Sequence, residues 1–281
     1  MSSNKNNGQI KTVLLVGASG YIGRQVALRL LQKELDVICL FRNAPKLDKS
    51  SISKHSTNLV FDLNNKEEFE IFSHSCPPFD AVISCLGSRT GGIRDSWRSE
   101  YLANLNILRL ALKRSARKFV LLSAICVQKP KLHFQHAKLA MENELIHCGI
   151  TYTIIRPTAF FKSLAGQVDR VKSGKRFITF DNGKNTSCKP ISEPDLAEYI
   201  CGSLTNSEQE NKVLPIGGPS PAITPLDQGN LLFNLTGKKP KFLRTIRHNK
   251  HPVIMNPSYA MNLDDYKILG LEKLRERANK I

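Results

Sequence analysis

Three glycines stand three residues apart in the string Gly17-Ala-Ser-Gly20-Tyr-Ile-Gly23. A β-branched apolar run, Thr12–Val16, precedes them, and residues with helical spacing, Ile22 to Leu31, follow. A strand that stops on glycine and reopens as a helix is suited to holding a phosphate. Gly17 makes the tight turn, Gly20 lets the backbone approach a pyrophosphate, and Gly23 lets helix and strand pack closely. The helix N-terminus adds free N–H groups and a partial positive charge. The ligand class is a dinucleotide. A second apolar run, Asp36–Phe41, ends in Arg42-Asn43, nineteen residues past Gly23. An NAD site would place a carboxylate there for the ribose hydroxyls. An arginine instead pairs a 2′-phosphate in bidentate fashion. The implied cofactor is NADPH.

The glycine spacing resembles that of the extended and atypical short-chain dehydrogenase/reductases. That resemblance implies further cofactor contacts: Ser19, Tyr21 and Ile22 within the loop, and Asp62 with Leu63 after the third apolar run, near the adenine amino group. Cys85-Leu86-Gly87 would pass under the adenine ribose, and Pro157-Thr158 would follow the sixth strand. In ordinary members a serine and a Tyr-x-x-x-Lys pair carry the chemistry. The tyrosine donates a proton to a carbonyl oxygen, and the lysine holds the ribose. Here Ser123 ends the fifth run, and the next helix reads Phe134-Gln-His-Ala-Lys138. Lys138 and Ser123 are therefore the catalytic candidates, and the tyrosine position is phenylalanine. A carbonyl reductase without its donor loses general-acid catalysis of ~10²–10⁴-fold. Either the chain is not an enzyme, or its substrate is not an ordinary carbonyl. A C=C bond conjugated to a large π-system needs no alkoxide. His136 falls on another helix face from Phe134 and reads as an exposed helix histidine.

These residues need elements to position them. Further apolar runs lie at Asn58–Phe61, Ala81–Leu86, Lys118–Ser123 and Thr151–Ile155. Helical stretches lie between them, at about Trp97–Lys113 and Phe134–His147. Short continuous apolar runs between amphipathic stretches imply a parallel sheet covered on both faces. The expected fold is α/β, a Rossmann-type doubly wound parallel sheet with a small C-terminal substrate lobe. The chain divides into a disordered N-terminus (1–11), an NADP-binding core (12–156), a substrate-side lobe interleaved with the core (157–244) and a polar basic tail (245–281). Within the lobe, Phe177–Phe180 and Val213–Ile216 read as strands. Ser192–Leu204 and Thr224–Leu235 read as helices, the second ended by Gly237. Asp264–Ala278 reads as a polar helix.

Composition narrows the class. The chain has 281 residues, 41% hydrophobic and 23% charged, which suits one large domain. Its longest apolar stretch is about nine residues, Phe119–Val127, where a membrane span needs roughly 20. Residues 1–11 lack an apolar core segment, so neither a secretory signal nor a transit peptide is expected. The seven cysteines are odd in number and lack C-x-x-C spacing, so no metal, cluster or disulfide scaffold is expected. Lys+Arg 41 against Asp+Glu 24 gives +17, richest in the tail, where residues 238–281 carry eleven basic and four acidic side chains. That surface suits peripheral contact with an anionic membrane; no aromatic-interleaved basic motif points to nucleic acid. The expected compartment is a bacterial cytoplasm, or a plastid if the source is eukaryotic.

Longer strings carry a more specific resemblance. They are Ser88-Arg-Thr-Gly-Gly-Ile-Arg-Asp-Ser-Trp97, Leu121-Leu-Ser-Ala-Ile-Cys-Val-Gln-Lys-Pro130, and Phe134-Gln135 with Ala137-Lys138-Leu139. Arg156-Pro-Thr-Ala-Phe-Phe-Lys-Ser-Leu164, Gly166-Gln-Val168, and Cys188-Lys-Pro-Ile-Ser-Glu193 with Asp195-Leu-Ala197 belong with them. Over roughly residues 12–244 the chain resembles the NADPH-dependent divinyl chlorophyllide 8-vinyl reductases. The resemblance implies reduction of the C8 vinyl group of 3,8-divinyl (proto)chlorophyllide to ethyl in chlorophyll and bacteriochlorophyll synthesis, without flavin or iron–sulfur cluster. The partner is then a flat tetrapyrrole bearing a propionate. Phe134, Phe160 and Phe161 are its apolar contacts, and Lys162, Lys129 and Arg89 are candidates for its carboxylate. Two alternatives stand beside this. One is another NADPH-dependent C=C or carbonyl reductase of the atypical type, such as the isoflavone-reductase-like group. The other is a non-catalytic NADP(H)-binding protein. One departure is visible. Past Pro240-Lys-Phe242 the family continues with a more apolar segment and a longer tail, whereas Thr245–Ile281 is short and polar.

Overall fold

The computed structural model describes residues 9–43, 55–180 and 182–245. Strands β1 (Thr12–Val16), β2 (Asp36–Phe41), β3 (Thr57–Val60), β4 (Ala81–Ser84), β5 (Lys118–Leu122) and β6 (Thr151–Pro157) join one parallel sheet. A short strand, β7 (Phe177–Phe180), leaves the sheet, and β8 (Lys212–Ile216) returns to it. The spatial order is β3-β2-β1-β4-β5-β6-β8. This is the doubly wound parallel sheet expected from the alternating runs.

The strands form because they are apolar on both sides. Val13, Leu14, Leu15 and Val16 are all fully buried, so both faces of β1 must be covered. Each such side chain contributes about 1.5–3 kcal/mol of burial. Val13 and Leu15 pack toward α1 (Tyr21–Gln32), meeting Val26 and Leu30. Leu14 and Val16 face α2 (Lys66–Ser75), α3 (Ala103–Lys113) and α4 (His133–His147), in one core with Phe72, Ile107 and Met141. A further helix, α5 (Glu193–Gly202), packs Leu196 and Ile200 beside α1. From β1 the chain runs outward to β2 and β3, then returns to the far side of β1 as β4. The crevice at the carboxyl ends of β1 and β4 is the switch point where such folds bind ligands.

Several boundaries differ from the periodicity. The helix expected over Trp97–Lys113 is three pieces: a short helix Ile93–Ser96, a π-helical turn Trp97–Leu102, and α3. Ser192 caps α5, its hydroxyl accepting the Asp195 N–H. Thr224 caps α6 (Pro225–Thr236) reciprocally with Asp227, and Gly237 ends that helix in the left-handed region. After Arg156 the chain serves two units. Helix α5 and strand β8 belong to the main sheet. Strand β7, helix α6 and β9 (Phe242–Thr245) build a small lobe around Val171, Phe177, Phe233 and Phe242. Strand β9 was not expected, and Thr245 belongs to it, paired with Phe180, rather than to a polar tail. At the other end, Gln9 and Lys11 are tied down, Lys11 N–H donating to Asp80 at 2.7 Å and the Gln9 carbonyl accepting from Arg117 at 2.8 Å, so residues 9–11 are ordered rather than disordered as expected; residues 1–8 lie outside the described residues. The helix expected over Asp264–Ala278 lies outside the described residues. Among the described residues no helix is long and apolar enough to cross a membrane, and no group of three His, Cys, Asp or Glu could hold a metal.

Candidate active site

The glycine loop is shaped by two close approaches. Gly17 has φ +84°, and a Cβ there would stand 2.7 Å from the Cys85 carbonyl carbon and oxygen. A Cβ on Gly23 would stand 2.1 Å from the Gly17 carbonyl oxygen. Gly20 closes the turn with an N–H bond to that oxygen at 3.0 Å, and it is the N-cap of α1. No side chain caps this helix start. Its first-turn N–H groups are thus left for an anion, as a pyrophosphate requires. The residues fit the group: a side chain on Gly17 or Gly23 would collide with the backbone of Cys85 or Gly17 and displace the loop that presents these N–H groups.

Two adjoining cavities open from this loop. One, about 710 Å³, runs toward the end of β2 and is lined by Gly17, Ser19, Gly20, Arg42, Asp62, Leu63 and Cys85-Leu86-Gly87. This is the expected adenosine side. Arg42 is exposed at its rim and has no ion-pair partner among the described residues. The rim continues as a cavity of about 680 Å³, where Arg94 and Arg98 join Arg42 around Asp62 and Asn64. Neither arginine stood out in the sequence, although Arg94 lies within the string that carries the family resemblance.

The other cavity, about 540 Å³, is the expected nicotinamide side. Tyr21, Ile22, Ser123, Phe134, Lys138, Pro157, Thr158 and Phe160 line it. Among the described residues the one cation that lines it, the partly buried Lys138, is held in a network. Lys138 Nζ lies 2.8 Å from Glu100 Oε2 and donates to the Leu122 carbonyl at 3.2 Å. Glu100 Oε1 accepts the Ser88 N–H at 2.7 Å and its hydroxyl at 3.0 Å. Glu100 is 3% exposed and stands on the π-helical turn. Ser123, expected as a catalytic candidate, lines this cavity but turns its hydroxyl to a buried carboxylate. Its hydroxyl donates to the buried Glu142, which Arg156 grips through Nε at 3.1 Å and through Nη2. Neither Glu100, Glu142 nor Arg156 was singled out from sequence as a site residue.

Other candidates fall differently from expectation. Gly23 shapes the loop and lines neither cavity. Phe161 lies outside the nicotinamide-side cavity and is 52% exposed. Phe160 is the extended N-cap of the short helix Phe161–Leu164, so the two side chains diverge: Phe160 turns in, 6.3 Å from the Tyr21 ring, and Phe161 turns out. Lys162 sits over the Tyr21 ring at 4.8 Å, beside the cavity. Arg89 lines the adenosine side, and Lys129 is exposed and lines neither side. His136 is half-buried rather than exposed.

Burial pushes the Cys85 thiol up to about 12 and raises Cys126 as well. Both are neutral thiols near pH 7, so neither is a thiolate nucleophile. Partial burial, then a hydrogen bond and charge from Glu193, raise the Tyr21 phenol, which stays protonated.

Comparison with known proteins agrees with this geometry. A family described as NAD(P)H-binding matches residues 17–207, a span that begins at the first loop glycine and includes Lys138. The chain belongs to this NAD(P)H-binding family. Its site is that of a nicotinamide dinucleotide. Among curated relatives, the chloroplastic divinyl chlorophyllide a 8-vinyl-reductase of Cucumis sativus is 45% identical over 251 residues, 85% of this chain and 60% of that one. The Arabidopsis thaliana protein of that name is 46% identical over 246 residues, 83% of this chain and 59% of that one. The chain thus spans about three fifths of the length of these relatives. The photosystem II assembly factor Ycf39 of Synechocystis is 25% identical over 73% of this chain and 62% of that one. Among solved structures, the UDP-glucose 4-epimerase of Thermotoga maritima superposes with a TM-score of 0.72 at 17% identity, covering 95% of this chain and 99% of that one. The Thermus thermophilus epimerase, solved with NAD, gives 0.70 at 17% identity over 92% and 93%. At that identity the likeness is one of fold.

Proposed function

We propose that the chain is an NADPH-dependent oxidoreductase that reduces the C8 vinyl group of 3,8-divinyl (proto)chlorophyllide a to ethyl. The observation that carries this reading is the composition of the nicotinamide-side cavity. Lys138 is there, but Phe134 stands where a carbonyl reductase has its tyrosine. Leu122, Ile125, Pro157 and Phe160 make the rest of the wall apolar, as a flat apolar substrate requires. Identity of 45–46% to proteins named as 8-vinyl-reductases supports the substrate class.

Bound NADPH supplies the hydride. The glycine loop and the start of α1 hold its pyrophosphate, and Arg42, with Arg94 and Arg98 across the rim, supports NADPH over NADH by pairing a 2′-phosphate. Lys138 reaches the nicotinamide ribose. Phe134 and Phe160 orient the macrocycle, and Lys162 is the carboxylate partner best placed beside the cavity. The names of the plant relatives favour a plastid over a bacterial cytoplasm. Membrane contact would fall to residues 246–281, outside the described residues.

A second reading, a non-catalytic assembly protein, is favoured by Phe134 and by the similarity to Ycf39, but at 25% identity it is the weaker match. Incubation with 3,8-divinyl chlorophyllide a and NADPH separates them. Reduction shifts the Soret band to the blue and yields the monovinyl pigment. NADPH binding with no pigment turnover would favour the second reading.

A further inference from the structure

Cofactor binding does not account for Glu100. A carboxylate 3% exposed is strongly unfavourable unless paired. This one is held on both oxygens, by Ser88 through two donors and by Lys138 at 2.8 Å. It stands on the π-helical turn Trp97–Leu102, a geometry that gathers at functional sites. Ser88 and Lys138 both line the nicotinamide-side cavity. Phe134 lies one helical turn before Lys138 on α4, so the position without a hydroxyl and the charged amine share a helix face. Lys138 donates one N–H to the Leu122 carbonyl and forms an ion pair with Glu100. An ammonium carries three N–H groups, so donor capacity remains for the cavity that Lys138 lines.

We propose that Glu100 is a positioning residue that sets Lys138 as the proton donor, the role a tyrosine at position 134 would fill in a carbonyl reductase. This rests on the vinyl-reduction reading. Hydride from the dihydronicotinamide forms a C–H bond at one vinyl carbon, and the π electron pair passes into the macrocycle. The other vinyl carbon then takes a proton from Lys138 as its N–H bond breaks. The neutral amine, still beside Glu100, regains a proton from water after the product leaves. NADPH becomes NADP⁺, vinyl becomes ethyl, and the proton consumed comes from solvent. Glu100, fixed by Ser88, keeps the amine aimed between turnovers.

The test compares wild type with Glu100→Gln, Glu100→Asp and Lys138→Arg, using divinyl chlorophyllide a and NADPH. NADPH affinity is read separately by nucleotide fluorescence, and folding by thermal melting. In Glu100→Gln, kcat falls by ~10-fold or more, while KM for pigment and NADPH moves by less than about threefold. Glu100→Asp recovers part of the lost kcat. Lys138→Arg keeps the charge and the pairing, but a guanidinium does not release its proton, so kcat falls by ~10²-fold or more with NADPH still bound. Near wild-type kcat in either Glu100→Gln or Lys138→Arg overturns the proposal. If Glu100→Gln does not fold, the Lys138→Arg result decides alone. No monovinyl product from the wild type, with NADPH bound, overturns the vinyl-reduction reading itself, and the proposal with it.

Discussion

The Ser123 hydroxyl donates its proton to the Glu142 carboxylate, and Arg156 closes on that carboxylate from β6. All three are at most 4% exposed. The serine therefore braces the floor of the site, and its proton is committed away from the cavity. Ser123→Ala should cost about 1–3 kcal/mol of stability, since a buried carboxylate loses a donor, and lower kcat less than ~10-fold. Glu142→Gln should cost more, about 3–5 kcal/mol, because it leaves Arg156 buried without its counter-charge. Urea melts beside pigment turnover measure both. Full stability with complete loss of turnover in Ser123→Ala would show that the hydroxyl acts on substrate.

The glycine cradle makes a sharper demand. Gly23→Ala places a methyl 2.1 Å from the Gly17 carbonyl oxygen, which is backbone and cannot swing aside. The loop must open and the pyrophosphate loses its seat. NADPH Kd should rise about 10-fold or more, ~1.4 kcal/mol, with the sheet intact by circular dichroism. Unchanged affinity would mean that the cofactor does not sit on this loop.

Arg42 tests the cofactor's phosphate. With NADPH as the proposed cofactor, Arg42→Asp would set a carboxylate against its 2′-phosphate, and such like-charge contacts cost several kcal/mol. NADPH affinity should fall ~100-fold, with NADH affinity held or improved. A preference ratio that did not move would refute the assignment.

Asp80 ties the start of β1 to the start of β4. Burial alone would raise its carboxyl, but the N–H groups of Thr12 and Lys11, with Arg117 at 3.0 Å, outweigh that and hold it below the usual value. A group depressed in the folded state contributes stability above its unfolded value of about 3.9. That stability is lost as pH falls through the lower, folded value. Asp80→Asn should therefore lower Tm at neutral pH, and the gap to wild type should narrow in acid, below about pH 4. Melts across that range check it; a gap that widens in acid would reverse the sign.

What could be read from the chain was local. The glycine turn, Arg42 at a strand end and the Phe134–Lys138 spacing each put their chemistry on neighbouring residues. Glu142 could not be read this way, because its partners Ser123 and Arg156 lie nineteen and fourteen residues off and meet it only once β5, β6 and α4 pack. Glu100 was hidden by the π-turn, which shifts the helix face relative to a regular 3.6-residue repeat. Phe160 and Phe161 are alike in sequence, and only the extended N-cap at Phe160 decides which turns inward. Strand β9 is four residues whose one partner among the described residues, β7, lies in another part of the chain.

The proposed reaction is hydride transfer from bound NADPH to the pigment's vinyl group. It is tested most directly by incubating the purified protein with 3,8-divinyl chlorophyllide a and NADPH carrying deuterium at the transferring C4 position. Mass spectrometry of the pigment should show the monovinyl product with one deuterium, carried in the new ethyl group. A monovinyl product without deuterium, or no product from protein that binds NADPH, would contradict the account.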